Sequence, residues 1–178
     1  MALKSTIYKA ELSIADMDRN YYGTHLLTLA RHPSETDERL MIRILAFAIH
    51  ADERLVNAKG ISDTEEPDLW QMDLTGAIQL WIEVGQPDER RLLKASGRSE
   101  QVMVYSYSSA SPVWWKQLAS KIDRARNVSV INIDPESSAA LEKMAQRTMQ
   151  LQCTIQDGQI WLTDGETTVE VLREVWKA

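Results

Sequence analysis

Two acids are set apart from their neighbours: Asp68, in EEPDLWQMDL, and Glu83, alone in the apolar run AIQLWIEV. Thr75-Gly76 lies between them and has turn-forming character. Residues 69–74 and 77–84 are therefore expected to fold back on each other as an antiparallel hairpin. With that dipeptide at the turn, Trp70 falls opposite Trp81 and Asp68 opposite Glu83. Directly opposed side chains on one face have Cβ atoms about 4.5–5.5 Å apart. Two carboxylates that close repel unless a cation or a proton lies between them. The spacing suits a divalent ion bound through oxygen, Mg²⁺ or Mn²⁺. A slip of one residue would send one acid to the other face. The structural alternative is a solvated strand-edge acid and a half-buried acid paired with an arginine.

The other reactive residue types form no recognised constellation. The histidines at 25, 32 and 50 lack metal-ligand spacing, with no His-x-x-x-His and no Cys/His pairing. There is no G-x-S-x-G elbow, Walker loop or G-x-G-x-x-G after a strand. Glu35 has Arg39 four residues on, the spacing of a helical ion pair. Cys153 is the only cysteine; it excludes an internal disulfide, suits a reducing compartment, and sits in an apolar run where it should pack. Of Trp114 and Trp115, which point in different directions on a helix, one is expected in the core and the other partly buried.

The elements that position these residues follow from periodicity. Tyr8, Ala10, Leu12 and Ile14 alternate with polar residues, and YYGTHLLTLA follows a polar turn at 16–20, so the chain should open with a hairpin. Ser34 and Asp37 have capping-box spacing, and apolar residues at 40, 41, 44, 45 and 48 predict a helix over residues 35–51. VNAKGISDTEEP reads as a polar connection. Beyond residue 97 the pattern is strand (QVMVYSY), helix (SPVWWKQLASKIDRA), strand (VSVINI) and helix (DPESSAALEKMAQRTM), the last with Asp134 as N-cap and Pro135 at its first position. Strands alternating with helices imply crossovers and some parallel sheet. Two Asp-Gly turns near the end predict short antiparallel strands. Together these give one α/β domain over 1–178, a mixed sheet flanked by helices, with the 77–84 strand in the central sheet and the 35–51 helix packed on it.

Composition narrows the function classes. The chain has 178 residues, 44% hydrophobic and 26% charged, with a formal net charge of −6. That balance is globular rather than disordered. The acidic excess weighs against tight, non-specific nucleic-acid binding, which rests on Lys and Arg neutralising phosphates. No apolar run approaches the ~18 residues of a membrane span. MALKSTIYKAEL lacks the pattern of a signal peptide. A cytoplasmic protein with no membrane association is the expectation.

RHPSETDERLMIRILAFA, EEPDLWQMDLTGAIQLWIEVGQPDERR and QVMVYSY resemble the YaeQ family of bacterial proteins, over nearly the whole chain. The Pro67-Asp68 pair, the later Glu83 and a preceding helix carrying Glu35 and Glu38 resemble the PD-(D/E)XK nuclease pattern. The resemblance implies a variant nuclease-like fold in which Asp68 and Glu83 hold Mg²⁺ or Mn²⁺, with the Val84 carbonyl as a further ligand. It offers Glu38 as a third ligand or proton-handling residue. The pattern's lysine belongs at position 85, which is glycine here. In such folds the following helix can supply it, and Pro87-Asp88-Glu89 reads as that helix's first turn, with Pro87 at its first position. Lys94 is then the candidate, with Arg90 and Arg91 the other nearby cations. Two functions are implied: a Mg²⁺-dependent phosphodiesterase acting on nucleic acid, or a non-catalytic protein of the same fold that binds nucleic acid or a protein partner.

Overall fold

The alternating residues at the start form β1 (Thr6–Asp16), which turns through residues 17–20 into β2 (Tyr21–Arg31). Tyr8, Ala10, Leu12 and Ile14 are buried, and Lys9 and Glu11 are exposed, as a half-buried strand requires. The structure is a computed structural model and describes residues 4–178.

Helix α1 (Asp37–Ile49) follows, buried continuously from Leu40 to Ala48. It starts later than the sequence suggested. Thr36, not Ser34, is the N-cap, its hydroxyl accepting from the Arg39 N–H at 3.1 Å. Ser34 is engaged instead with His32, its hydroxyl 2.7 Å from Nδ1. The cap is thereby displaced by two residues, and Arg39 stands where a capping box would need Glu or Gln.

The chain then builds β3 (Leu55–Asn57), a single 3₁₀ turn (Gly60–Ser62), β4 (Leu69–Met72), β5 (Ile78–Val84), α2 (Glu89–Arg98) and β6 (Ser99–Ser106). It continues with α3 (Ser111–Leu118), a second 3₁₀ turn (Ala119–Lys121), β7 (Val128–Ile133) and α4 (Pro135–Glu142). The last elements are β8 (Thr148–Gln156), β9 (Gln159–Thr163), β10 (Thr168–Glu170) and β11 (Arg173–Lys177). Helices α3 and α4 are shorter than their sequence patterns, and β3 lies in what reads as a polar connection. Trp114 and Trp115 are both half-buried, so neither is the core residue expected.

The result is a mixed α/β fold with two mixed sheets and four α-helices among the described residues. The mixed sheet expected around the 77–84 strand is one of the two; the opening hairpin and the late antiparallel strands make the other. One compact unit, Met1–Ala51 with Glu136–Leu172, carries the order β10-β9-β8-β1-β2. The other, Asp52–Pro135 with Arg173–Ala178, carries β11-β7-β6-β5-β4-β3. Helix α1 belongs to the first unit, where it packs on β1. Its short connection to β2 accounts for this, since sequential elements usually stay adjacent.

In the first unit, β1 pairs in parallel with β8, while β8–β9 is a two-residue hairpin through Asp157 (φ 53°) and Gly158 (φ 77°). Positive φ at both positions is the hairpin geometry the Asp-Gly pair favours. Cys153, on β8, is buried, and burial pushes its thiol up to about 12 with Asp16 adding to the shift; it is packing. In the second unit, β5, β6 and β7 run parallel, as the strand–helix alternation predicts. Trp81, Leu92, Val102, Val104, Leu118 and Val130 belong to its core. Among the described residues no helix is long and apolar enough to cross a membrane.

Candidate functional site

The site is built by the β4–β5 hairpin, and its register depends on two departures from the simple turn. The connection closes with Asp73 opposite Ala77: the Asp73 N–H donates to the Ala77 carbonyl at 2.9 Å, and the Asp73 carboxylate accepts from the N–H groups of Thr75 and Ala77. Gly76 takes φ 87°. This loop alone would offset the strands by one residue from the expected pairing. Met72 pairs with Ile78 but Gln71 pairs with Leu80, so Gln79 is an extra, bulged residue. The bulge restores the expected register: Trp70 lies opposite Trp81, their rings edge-to-face at 6.0 Å, and Leu69 lies opposite Ile82.

Asp68 stands one residue before that last pair and is 2% exposed. Its carboxylate accepts from the Val84 N–H at 2.8 Å, and its own N–H donates to the Ile82 carbonyl. The Ala58 N–H donates to the Asp68 carbonyl, and the Gly60 N–H to that of Pro67. Gly60 has φ 53°, and a Cβ there would lie 2.5 Å from Asp68 Oδ1. Only glycine lets this backbone approach the carboxylate so closely.

Glu83, the penultimate residue of β5, is 4% exposed. It sits near the carboxyl end of a parallel strand, where α/β sheets commonly place ligands. Its Oε1 accepts from Trp81 Nε1 at 2.8 Å and from Arg91 Nε at 2.7 Å. Burial pushes its carboxyl up to about 7, and the Asp68 charge pushes the same way; Arg91 and the indole hydrogen bond pull it down. The net rise says that one guanidinium does not offset both the desolvation and the second acid.

Arg91 is fixed from several sides. Its Nη2 donates to the Glu66 carbonyl at 2.8 Å and its Nη1 to the Thr64 carbonyl at 3.3 Å. Asp88 is the N-cap of α2, accepting from the Arg91 N–H, and Pro87 lies before the cap rather than at the first helical position as the sequence suggested. That start places Arg91 within reach of Glu83. Lys94, one turn on, is half exposed and bonds Glu65, which Arg98 also approaches. These two cations hold the Glu65 carboxyl below its usual range. A cleft of about 350 Å³ is lined by Thr64, Glu65, Asp88, Arg90, Arg91 and Lys94.

Gly85, where a nuclease-type lysine would stand, has φ 109° and donates its N–H to the Tyr105 carbonyl at 2.9 Å. An L side chain rarely adopts that backbone, so the position suits glycine. Glu38 belongs to the other compact unit, where its carboxylate accepts from Ser138 Oγ at 2.9 Å. Among the described residues no group of three or more His, Cys, Asp or Glu side chains is placed to hold a metal. A magnesium ion, though, commonly takes one or two carboxylates and fills its other positions with water and phosphate. Asp68 and Glu83, two buried hard-oxygen donors, fit that requirement.

Arg91 is the residue that sequence reasoning placed least well. It was one of three cations on a helix of unknown orientation; the usable signal was Asp88 as cap, which fixes the helix phase. Trp81 as a donor to Glu83 is readable from their i,i+2 spacing on one strand face. Gly60 carried no signal, because its role appears only once residues 58–60 bond to 67–68.

Known proteins of the same length and architecture exist. The family model described as YaeQ protein matches residues 1–173. Proteins described as "Uncharacterized protein YaeQ" from Salmonella typhi and Escherichia coli (strain K12) are each 48% identical over 178 residues, covering 99% of this chain and 98% of theirs. The crystal structure of YaeQ protein from Xanthomonas axonopodis pv. citri superposes with a TM-score of 0.93 at 47% identity, covering 98% of this chain and 99% of that one. That of YaeQ protein from Pseudomonas syringae gives 0.94 at 36% identity, covering 98% and 97%.

Proposed function

The chain belongs to the YaeQ family, and from that premise we propose a variant PD-(D/E)XK nuclease-like protein that hydrolyses phosphodiester bonds in nucleic acid with Mg²⁺ or Mn²⁺. The observation that carries this reading is the buried acid pair: Asp68, pinned by the Val84 N–H, beside Glu83 at the end of β5. Burial and the neighbouring Asp68 charge both oppose ionisation of Glu83, and a divalent cation between the two carboxylates would relieve both. Bound there, such an ion would polarise a phosphoryl oxygen and lower the pKa of an attacking water.

The chain's own residues do the remaining work. The Val84 N–H holds the Asp68 carboxylate, and Gly60 leaves room for it. Trp81 orients Glu83 through its indole N–H. Arg91 takes the role of the lysine that Gly85 cannot supply, presenting a permanent positive charge beside the carboxylates. Arg90 and Lys94, on the same cleft, are positioned to meet the phosphate backbone of a substrate.

Titration calorimetry with MgCl₂ and MnCl₂, followed by cleavage of labelled single- and double-stranded DNA and RNA, tests the reading. Wild type is expected to bind the ion and cleave at least one substrate, and Asp68→Asn with Glu83→Gln to lose both. Arg91→Gln should keep metal binding and lose about 10²–10³-fold in rate. One observation favours a second reading, a non-catalytic binding protein of the same family: Arg91 already bonds Glu83. Nucleic-acid binding without cleavage under either metal would select it.

A further inference from the structure

Helix α2 carries Arg91, Lys94 and Arg98 at helical spacing, so the three lie along one side. All three turn to the same short segment, residues 64–66. Arg91 donates to the Thr64 and Glu66 carbonyls, and Arg98 Nη1 donates to the Glu65 carbonyl at 3.1 Å. The Glu65 carboxylate is divided between Lys94 and Arg98. Its Oε1 accepts from Lys94 Nζ, and its Oε2 stands 3.6 Å from Arg98 Nη1. One anion therefore lies between two cations, with a cation at each oxygen. Phosphate oxygens make the same charge-assisted bonds to such side chains as carboxylate oxygens do.

The cations are held more firmly than the acid between them. Asp88 caps α2, and Leu92 and Ala95 bury its inner face. Arg98 lies over the buried Trp81 ring, with Cζ 5.2 Å from the centroid. Glu65 sits on a connecting segment outside any helix or strand, and its side chain is 60% exposed. An exposed ion pair gains little over the separated, hydrated ions. Another anion can therefore replace the carboxylate at small cost. The cationic row starts at the Glu83 carboxylate, which Arg91 bonds, and passes along the cleft that Arg91 and Lys94 line. From Arg91 to Arg98 it rises about 10 Å along the helix. That length suits a chain of phosphates rather than a single one.

We infer that Lys94 and Arg98 form a phosphate subsite for a nucleic-acid backbone, which Glu65 occupies in the free protein as a competing internal anion. The inference rests on the nucleic-acid reading above but not on cleavage. A strand entering the cleft exchanges one carboxylate for one phosphate at these two cations. Wild type therefore binds less tightly than its cations allow.

Fluorescence anisotropy of labelled single-stranded DNA and RNA oligonucleotides, titrated with the full chain at low salt in EDTA, tests this without cleavage. Glu65→Gln keeps the length of the side chain and the carbonyls that α2 bonds. It should bind up to about fivefold more tightly than wild type, the factor an exposed ion pair supplies. Arg98→Gln should bind more weakly than wild type. In a Lys94→Ala/Arg98→Gln background, Glu65→Gln should gain nothing further. Glu53→Gln, which removes an exposed acid outside the cleft, measures the effect of net charge alone and should gain less than Glu65→Gln. Thermal midpoints equal to wild type show that the variants fold. Absence of binding by wild type and Glu65→Gln alike, a gain no larger than that of Glu53→Gln, or a gain that persists without Lys94 and Arg98 would each overturn the inference. Cleavage with Mg²⁺ or Mn²⁺ is scored separately: tighter binding by Glu65→Gln without cleavage by wild type leaves the subsite standing and removes the phosphodiesterase.

Discussion

Glu35 and Glu83 are both almost wholly buried, at 2% and 4% exposure, and both bond arginine. Their surroundings differ in arithmetic. Each Glu35 oxygen has its own guanidinium: Arg39 Nη1 on Oε2 and Arg43 Nη1 on Oε1, while Arg31 bonds the Glu35 backbone carbonyl. One acid is enclosed by two cations, and nothing further is needed to balance it. Glu83 has one guanidinium, and Asp68 stands beside it as a second acid. A buried acid with a guanidinium on each oxygen makes a structural clamp. A buried acid beside a second acid makes a place where a further cation or a proton is wanted.

The largest expected effect breaks the clamp. Glu35→Ala leaves Arg39 and Arg43, at 13% and 7% side-chain exposure, without their shared anion. Breaking a buried ion pair by removing one partner costs about 3–5 kcal/mol. Urea unfolding should show the midpoint fall with an unchanged slope. A loss below about 1 kcal/mol would mean that the arginines relax to water and that the cluster is not a clamp.

The second effect uses the burial of Glu83 beside a second acid. Its carboxyl stands at about 7 in the folded protein against 4.5 for an exposed glutamate, so between those values the native state holds a proton that the unfolded chain has released. The group's contribution to stability therefore falls as pH rises from about 4.5 to 7, by about 3 kcal/mol as an order of magnitude. Glu83→Gln, which cannot titrate, should gain on wild type between pH 5 and pH 8, as read from urea midpoints at each pH. Asp68→Asn should shrink the wild-type slope, since Asp68 is the second contributor after burial. A difference between wild type and Glu83→Gln that stays flat across this range would show that Arg91 neutralises Glu83 completely.

How much of this was legible in the sequence depends on whether the cause was local. β1, β2 and β7 announced themselves because alternation or β-branching runs through the whole strand. β3 and β11, of three and five residues, exist through pairing with β4 and β7, and nothing in LVN or REVWK distinguishes them beforehand. The Trp70–Trp81 pairing was readable from a two-residue turn, although the real loop is longer; the bulge at Gln79 brings the strands back to the same register. The two-sheet division was not readable, because it turns on β8 joining β1 across more than a hundred residues of chain. The acids of the site were visible by spacing, whereas Arg91 became visible only through the cap at Asp88.

A smaller effect tests how tightly the second region holds Asp68. Gly60→Ala would place a Cβ 2.5 Å from Asp68 Oδ1 and 3.3 Å from its Cα, at a φ of 53°. A strained residue of this kind costs about 1–3 kcal/mol. The shift should be accompanied by weaker Mg²⁺ binding in calorimetry, because the carboxylate must move. If stability drops while metal affinity is unchanged, Gly60 supports the loop but not the carboxylate.

The smallest expected effect concerns Lys94, and it separates the two cations of α2. Arg91 reaches a buried acid, whereas Lys94 meets Glu65 at the surface, with side chains 47% and 60% exposed. Exposed pairs of that kind gain little, because water and salt screen them and two long side chains must be held in one geometry. Lys94→Ala should leave the unfolding midpoint unchanged within error and metal affinity intact. Its effect belongs to substrate: affinity for nucleic acid should weaken mildly, and the salt dependence of binding should become shallower by about one unit of slope. If the variant instead loses phosphodiester cleavage as completely as Arg91→Gln is expected to, then Lys94 swings from Glu65 to the scissile phosphate. The positive charge at the site would then come from the exposed cation rather than the buried one.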